Sequence, residues 1–485
     1  MSLVDRLTKE EKTGLYIGGE WRSASDGRTI TVVDPATEEA IAECASASPE
    51  DGVAAVTAAA DAAAEWAATS PRQRSEILRR AFDMMIDRAE DYAQLITLEN
   101  GKTLADSRGE VRYGAEFLRW FSEEAVRNVG DVYRAPAGDK NIVVLHQPVG
   151  PSLLVTPWNF PLSMGTRKIG PALAAGCTTI LKPASDTPLI ALALADLLEE
   201  AGVPPGVVNV VPADRSSAVV NAMLAHPRLR KLSFTGSTEV GRILLAEASK
   251  QVLNTSMELG GNAPFLILAD ADLDAAVEGA MLAKMRNAGE ACTAANRFYV
   301  AASIADDFAD RFAAAMDALQ LGPGIDEASD VGPLINRATQ QKVSDLVDGA
   351  VDQDAAVVTG GGTPDGKGFF YQPTVLKNVV RNAHILTQEI FGPVAPIVPF
   401  DDLEDAITMA NDTEYGLISY VYTGDAGTGL HVAEALEAGM VAVNRGLVSD
   451  PAAPFGGVKQ SGLGREGAHH GLLEYVEAKY VGVDW

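Results

Sequence analysis

A chain of 485 residues, 47 % of them hydrophobic, is long enough for about three domains and can bury a sizeable core. Its 66 acidic and 39 basic side chains give a formal charge of −27, which repels nucleic acid and anionic membrane surfaces, so an anionic ligand needs locally placed cations. Three distant cysteines, Cys44, Cys177 and Cys292, with no CxxC spacing, argue against a disulfide framework or a zinc knuckle and point to a reducing compartment.

The N-terminal MSLVDRLTKEEK is charged and has no apolar core of signal-peptide length, and no stretch approaches an uncharged apolar span of about 18 residues. A soluble cytoplasmic protein is expected. The six histidines form no HExxH, so no catalytic metal is expected. Residues 15 to 46 read as a β-ribbon of short strands broken by turns such as Asp26-Gly27. Helices are predicted over Pro49 to Thr69, Pro71 to Glu99 and Leu104 to Asn128, the first two opened by Ser-Pro, a good N-cap and first-turn pair. IVVLHQPVG then reads as a strand leaving this helical layer.

From Pro151 the pattern repeats as strand, turn and helix: LLVTPWNFP, TTILKPAS, VVNVVPAD and KLSFTGSTEVG each precede a helix. Apolar strands alternating with helices predict a parallel sheet covered on both faces, with ligands at the strands' carboxyl ends. Those ends carry Trp158-Asn159, Lys182 with Ser185, and Gly236-Ser237. A second alternating region begins near Met257, where a domain boundary is placed, and runs through RFYVA, AAVVTGG, PTVL and APIVPF; Gly360 to Gly362 is read as a turn. The last strand, YVEAKYVGVDW, has no obvious partner in its own domain, and such an edge predicts oligomerisation.

Cys292 lies in MRNAGEACTAANR, whose small and polar residues give a thiol little apolar cover, so a nucleophile and a packing residue are equal readings of that window. A carbonyl-attacking thiol needs an oxyanion donor and a base. Asn159 suits the first role, or caps the helix beginning near Pro161. Glu258, before two glycines in MELGGN, suits the second, or is a solvated carboxylate at a strand end. Lys182 and Ser185 could hold ribose or phosphate oxygens, or be a surface lysine and a cap. TGSTEVG lacks G-x-G-x-x-G spacing, although its amides could still face a phosphate.

Taken together, PWNFP, LKPAS, FTGSTEVG, MELGGNAP, the Cys292 loop, EIFGPV, NDTEYGL and PFGGVKQSGLGRE resemble the aldehyde dehydrogenase superfamily over nearly the whole chain. The resemblance implies an α/β fold with a Rossmann-like cofactor domain (1–126 and 148–257), an α/β catalytic domain (258–444), a return segment (445–467) and a small β oligomerisation extension (127–147 and 468–485). It makes Cys292 the nucleophile, Asn159 the oxyanion donor and Glu258 the base for deacylation. Lys182 and Ser185 would bind the adenosine ribose and its substituent, Gly236 and Ser237 the pyrophosphate, and Glu389 the nicotinamide ribose. Phe391 would pack near the nicotinamide and Trp158 beside the adenosine-side cleft.

The branch resembled is that of the succinate-semialdehyde dehydrogenases, through PWNFPLSMGTRKIGPALAAGC, KMRNAGEACTAANRFYV and APFGGVKQSGLGREG. It implies a distal substrate carboxylate held by Arg167, Arg286 and Ser449, a role for which a guanidinium fork is suited; Arg286 is otherwise a helix-end arginine on carbonyls. Glutarate semialdehyde and aliphatic aldehydes are the alternative substrates, and a non-catalytic protein on this fold the remote alternative. Ser185, where NAD-preferring relatives carry Glu, favours NADP with NAD possible. A homodimer or homotetramer is implied. Ala294 replaces the second cysteine of this branch, removing its disulfide switch. Glu290-Ala291, Arg445 and Asp450 also depart from the branch, and an extra charge in the pocket would alter the substrate.

Overall fold

In the computed structural model, residues 3–9 and 12–485 are described; Met1, Ser2, Glu10 and Glu11 of the charged N-terminal stretch lie outside them. The helices Pro49–Ala68 and Pro71–Asp87 begin as their Ser-Pro pairs require. Ser48 Oγ accepts from the Asp51 amide while Asp51 Oδ2 accepts from the Ser48 amide, and Ser70 and Gln73 repeat the box. The helix expected over Pro71 to Glu99 is two helices, Pro71–Asp87 and Ala89–Asn100, broken at Arg88 (φ −112°, ψ 20°). No proline or glycine marks the break. The Arg88 guanidinium grips both Glu200 oxygens and the Tyr92 hydroxyl donates to the Ala193 carbonyl, so the second helix is re-aimed onto Leu189–Glu200.

The first sheet has eight strands in the order Gly462–Leu463, Asn254–Glu258, Lys231–Thr235, Ser152–Val155, Thr179–Lys182, Val208–Val210, Leu15–Ile17 and Glu20–Arg22. The middle five are parallel, from Asn254–Glu258 through Val208–Val210, and nearly all their residues are buried, as strands covered on both faces should be. The expected N-terminal ribbon divides: Leu15–Ile17 and Glu20–Arg22 extend this sheet through the pairing of Tyr16 with Val210, while Thr29–Val33 pairs only with Ala40–Ala45. At the opposite edge Gly462 pairs with Glu258 at φ 138°, where a Cβ would lie 2.0 Å from the Met257 carbonyl oxygen.

The second sheet runs Ala356–Thr359, Thr374–Lys377, Val394–Phe400, Ala295–Ala301, Ala263–Ile267, Ile418–Tyr422 and Met440–Val443. Ile418–Tyr422, which the sequence reading passed over, is interior; Tyr420 and Tyr422 stack on Phe265 at 5.4 and 5.1 Å. The chain passes between the two sheets in Leu259 to Asn262. A Cβ on Gly261 would come 2.5 Å from the Cys292 carbonyl oxygen, so this crossing brings the cysteine loop against the end of the Glu258 strand. The last strand, Val476–Val483, does have a partner, contrary to expectation: eight residues pair antiparallel with Asn141–Pro148, which also pairs with Asp131–Arg134. Short apolar β-runs carry no label for a partner more than 300 residues away.

The helix Pro161–Ala175 is buried along its whole length, and Phe160 at its N-cap supplies no side-chain cap. Glu110 does so instead: its Oε1 accepts from the Leu162 and Ser163 amides at 2.9 and 3.1 Å. Its Oε2 accepts from Lys102 Nζ at 2.7 Å, and the same ammonium donates to the Asn159 carbonyl at 2.6 Å and lies 4.0 Å from the Phe160 ring centroid. Both charged side chains are wholly buried. Removing one partner of such a pair costs about 3–5 kcal/mol by stranding the other. Lys102→Ala is therefore expected to lose that much unfolding free energy, measured by urea denaturation against the parent protein.

Candidate active site

After the helix Leu273–Met285 the chain turns sharply, with Asn287, Ala288 and Gly289 all at positive φ (52°, 50° and 78°). For two non-glycine residues this conformation is costly and persists because side chains hold it. Asn287 Nδ2 donates to the carbonyls of Asn159 and Glu290 at 2.9 and 3.1 Å, its amide donates to Asp106 Oδ2 at 2.9 Å, and Tyr420 holds the Thr293 carbonyl at 2.8 Å. The loop presents Cys292 where two cavities meet, and its thiol borders both. Cys44 and Cys177, in contrast, are buried packing residues. Burial pushes the Cys292 thiol well above its usual range; Glu258 adds to this, while Arg167 and Arg286 pull the other way.

Asn159 is not a helix cap. Its Nδ2 donates to the Glu290 carbonyl at 3.0 Å, leaving a second amide hydrogen, and it borders the same cavity as Cys292 and Glu258. Glu258 is not a solvated strand-end carboxylate either, being 3 % exposed with neither oxygen hydrogen-bonded. Burial raises its carboxyl to about 8, against the pull of Arg167, whose Nη2 lies 3.7 Å from Oε2. A carboxyl near neutrality beside a thiol and a free amide hydrogen is equipped for proton transfer at an acyl group.

One cavity takes in Arg167, Arg286 and Ser449, with Phe160, Tyr113 and Phe455 on its walls. Arg286 lies 5.1 Å from the Phe160 ring centroid and donates to Thr293 Oγ1 at 3.4 Å; among the described residues it forms no ion pair, although its charge acts on Asp106 of the same wall. Arg167 is already paired: Nε meets Glu466 Oε2, whose other oxygen takes Lys168, and Phe455 lies 4.4 Å from the guanidinium. Arg167 and Arg286 are the cations on this wall, which also carries Asp106 and Glu110.

The other cavity gathers Trp158, Gly236, Ser237, Glu389 and Phe391 with the catalytic candidates. Trp158 and Phe391 meet edge-on at 5.4 Å between centroids, so they occupy one place and not opposite ends of a dinucleotide. Ser237 is the N-cap of Thr238–Ser249 and accepts from the Val240 amide, while a Cβ on Gly236 would strike the Phe234 ring at 2.4 Å. Glu389 accepts from the Gly261 amide at 3.1 Å, and burial raises its carboxyl to about 7. Lys182 and Ser185 lie outside this cavity wall. Lys182 is a buried ammonium with no hydrogen-bond partner, pushed down to about 8 by burial despite Asp186. Ser185 borders an adjoining cleft with Asp186, whose Oδ1 accepts from Asn336 Nδ2. The remaining first-turn amides of the helix Thr238–Ser249 and the largely buried Lys182 fit a dinucleotide phosphate.

The expected extra charge does not reach either cavity. Glu290 is 1 % exposed, accepts from the Ile335 amide at 3.0 Å, and burial pushes its carboxyl well above the usual carboxylate range. Arg445 and Asp450 are exposed and bind neighbouring backbone. The sequence reading assigned no role to Glu466, Lys168, Lys102, Glu110 or Lys342, whose Nζ donates to the Glu389 carbonyl at 2.7 Å. One signal was available: an Arg-Lys pair inside an apolar helical run requires an internal anion. Among the described residues no cluster of three or more metal-ligating side chains occurs, and no helix is long and apolar enough to cross a membrane.

The chain belongs to the aldehyde dehydrogenase family, whose model matches residues 21–481; the protein is an aldehyde dehydrogenase. Its relatives include a succinate-semialdehyde dehydrogenase of Paenarthrobacter nicotinovorans, 59 % identical over 91 % of this chain and 98 % of that one. An NADP-dependent succinate-semialdehyde dehydrogenase of Escherichia coli and a glutarate-semialdehyde dehydrogenase of Pseudomonas putida are each 47 % identical over 96 % of both chains. The crystal structure of succinate-semialdehyde dehydrogenase from Burkholderia pseudomallei superposes with a TM-score of 0.95 at 47 % identity, covering 97 % of each chain.

The Glu258 charge acts on the thiol only once it is ionised, above about pH 8. Glu258→Gln is accordingly expected to speed alkylation of Cys292 by iodoacetamide at pH 9, read by mass spectrometry of the labelled peptide.

Proposed function

We propose that this enzyme oxidises succinate semialdehyde to succinate with NADP as the preferred hydride acceptor and NAD as a poorer one. The observation that carries the substrate is the pair of guanidinium groups, Arg167 and Arg286, on the wall of the Cys292 cavity, with Ser449 on the same wall. Cys292 attacks the aldehyde carbon as a thiolate, and the oxyanion of the thiohemiacetal accepts a hydrogen bond from the spare Asn159 Nδ2–H. A nicotinamide dinucleotide, when bound, supplies the acceptor for the hydride that leaves this carbon. Gly236 and Ser237, with Lys182 at the end of the strand Thr179–Lys182 and Ser185 three residues on, would hold its phosphates and ribose, and Glu389, Phe391 and Trp158 its nicotinamide end. Glu258 then takes a proton from water as that water attacks the thioester, and succinate departs. Ser185, which brings no carboxylate to repel a 2′-phosphate, and the unpartnered Lys182 support NADP.

The proposed organisation gives residues 1–126 and 148–257 to the cofactor, 258–444 to catalysis and 445–467 to the return segment. Residues 127–147 and 468–485 would join copies into a homodimer or homotetramer. Supporting this, the ribbon leaves strand edges unpaired within the chain and exposes Val132, Tyr133 and Tyr480. The free cysteines suit a reducing cytoplasm.

Asn159→Ala is expected to lower kcat by roughly 10²- to 10³-fold; turnover near the parent's would remove Asn159 from the site. An aldehyde panel assayed with NADP and with NAD tests the whole reading. The highest kcat/KM is expected for succinate semialdehyde with NADP. Glutarate semialdehyde is the second reading, favoured by the Pseudomonas relative.

A further inference from the structure

The side-chain amide of Asn159 makes one hydrogen bond among the described residues: Nδ2 donates to the Glu290 carbonyl at 3.0 Å, while Oδ1 is buried without a partner. Turning this amide over would set two oxygens against each other. The Glu290 carbonyl therefore decides which end of Asn159 carries hydrogens at the cavity beside Cys292. The same carbonyl accepts from Asn287 Nδ2 at 3.1 Å, and the Glu290 amide donates to the Asn287 carbonyl at 2.8 Å. With Asn287 and Ala288 at positive φ, this turn keeps its shape only where its surroundings hold it.

The Glu290 side chain supplies such a hold. It lines neither cavity at the thiol, is 1 % exposed, and its Oε1 accepts from the Ile335 amide at 3.0 Å. The segment it reaches is fixed on both sides. The Leu334 amide donates to the Phe369 carbonyl at 3.0 Å, and Asn336 caps the helix Arg337–Val351 through the Thr339 amide while its Nδ2 donates to Asp186 Oδ1 at 3.2 Å. Burial raises the Glu290 carboxyl well above the usual range, against the Ile335 amide and the charge of Lys102, with Asp186 adding to the rise. An acceptor oxygen is present whether the group is protonated or ionised, so the tie does not depend on its charge.

We propose that Glu290 is a positioning residue for Asn159: its carboxyl fastens the Cys292 loop to the Ile335 amide, and its carbonyl thereby aims the Asn159 amide at the oxyanion. The inference rests on the reading of Asn159 as the oxyanion donor and adds what sets that donor's direction.

The test is a double-mutant cycle between Glu290 and Asn159, with turnover expressed per Cys292 that can be alkylated. Glu290→Leu, which removes the acceptor, is expected to lower kcat at least about fivefold in the parent and less than about twofold in Asn159→Ala, where no donor is left to aim. Glu290→Gln keeps an oxygen for the Ile335 amide and should recover most of the lost rate. Alkylation of Cys292 by iodoacetamide develops no oxyanion, so in Glu290→Leu its rate should stay within about twofold of the parent's. Asn287→Gly tolerates the positive φ and withdraws the second amide from the Glu290 carbonyl; it should show the same dependence on Asn159, and it replaces Glu290→Leu should that variant not fold. Equal losses of kcat in the parent and in Asn159→Ala, or alkylation slowed as much as turnover, would make Glu290 a general support of the loop and overturn the proposal. Turnover of Asn159→Ala near the parent's would instead overturn the oxyanion reading on which the proposal stands.

Discussion

The centre of this protein depends on ionisable groups held away from water, beginning with the carboxylate of Glu258. It stands at the last residue of a buried strand with no hydrogen bond to either oxygen, and burial alone would leave it neutral through most of the physiological range. The nearby guanidinium of Arg167 opposes this. That guanidinium is itself sealed from solvent and is kept charged by Glu466, although burial works against it. Burial pushes the Glu466 carboxyl up as well, but Arg167 and Lys168 together outweigh it and hold it below its usual range. Each member tolerates burial only because the next is present, which is why deleting one would strand the others.

The same logic governs the frame around the thiol. Lys102 and Glu110, both wholly buried, neutralise one another while spending their hydrogen bonds on the Asn159 carbonyl and on the start of the helix Pro161–Ala175. The backbone is strained on both sides of the thiol, at Asn287 and Ala288 before it and at Phe391 across the cavity, all at positive φ. Gly260 and Gly261 let the crossing between sheets pass close enough for Glu389 and the Cys292 carbonyl to pack against it. The strain at the site rests on two sheets whose parallel strands are buried on both faces.

How much could be read in advance varied with the range of the interaction responsible. The Ser-Pro helix starts and the alternating strands and helices from Pro151 onward were legible because caps and hydrophobic period act over a few residues. The break at Arg88 was not, since it is made by Glu200 and Ala193 on another helix. The strand Ile418–Tyr422, too short to declare a period, and the partner of Val476–Val483 were hidden for the same reason. In the candidate site, the residue types of Cys292, Glu258 and Asn159 were readable, and so was their resemblance to a family. The burial of Glu258, the contact of Trp158 with Phe391 and the direction of Glu290 toward Ile335 were not.

By itself, the sequence determined the chemical inventory: a thiol in a loop of small residues, an amide and a carboxylate at strand ends, and arginines in a chain otherwise rich in acid. It determined as well the local elements that carry them, because caps, glycines and apolar spacing are short-range properties. The tertiary structure alone decided which of those groups share an environment. It set Glu466 against Arg167 across about 300 residues, brought Arg286 to the same cavity wall as Arg167, and took the water from around Glu258. Charge and protonation in a protein interior depend on desolvation and on partners brought from distant segments, and neither is a property of any stretch of chain taken alone.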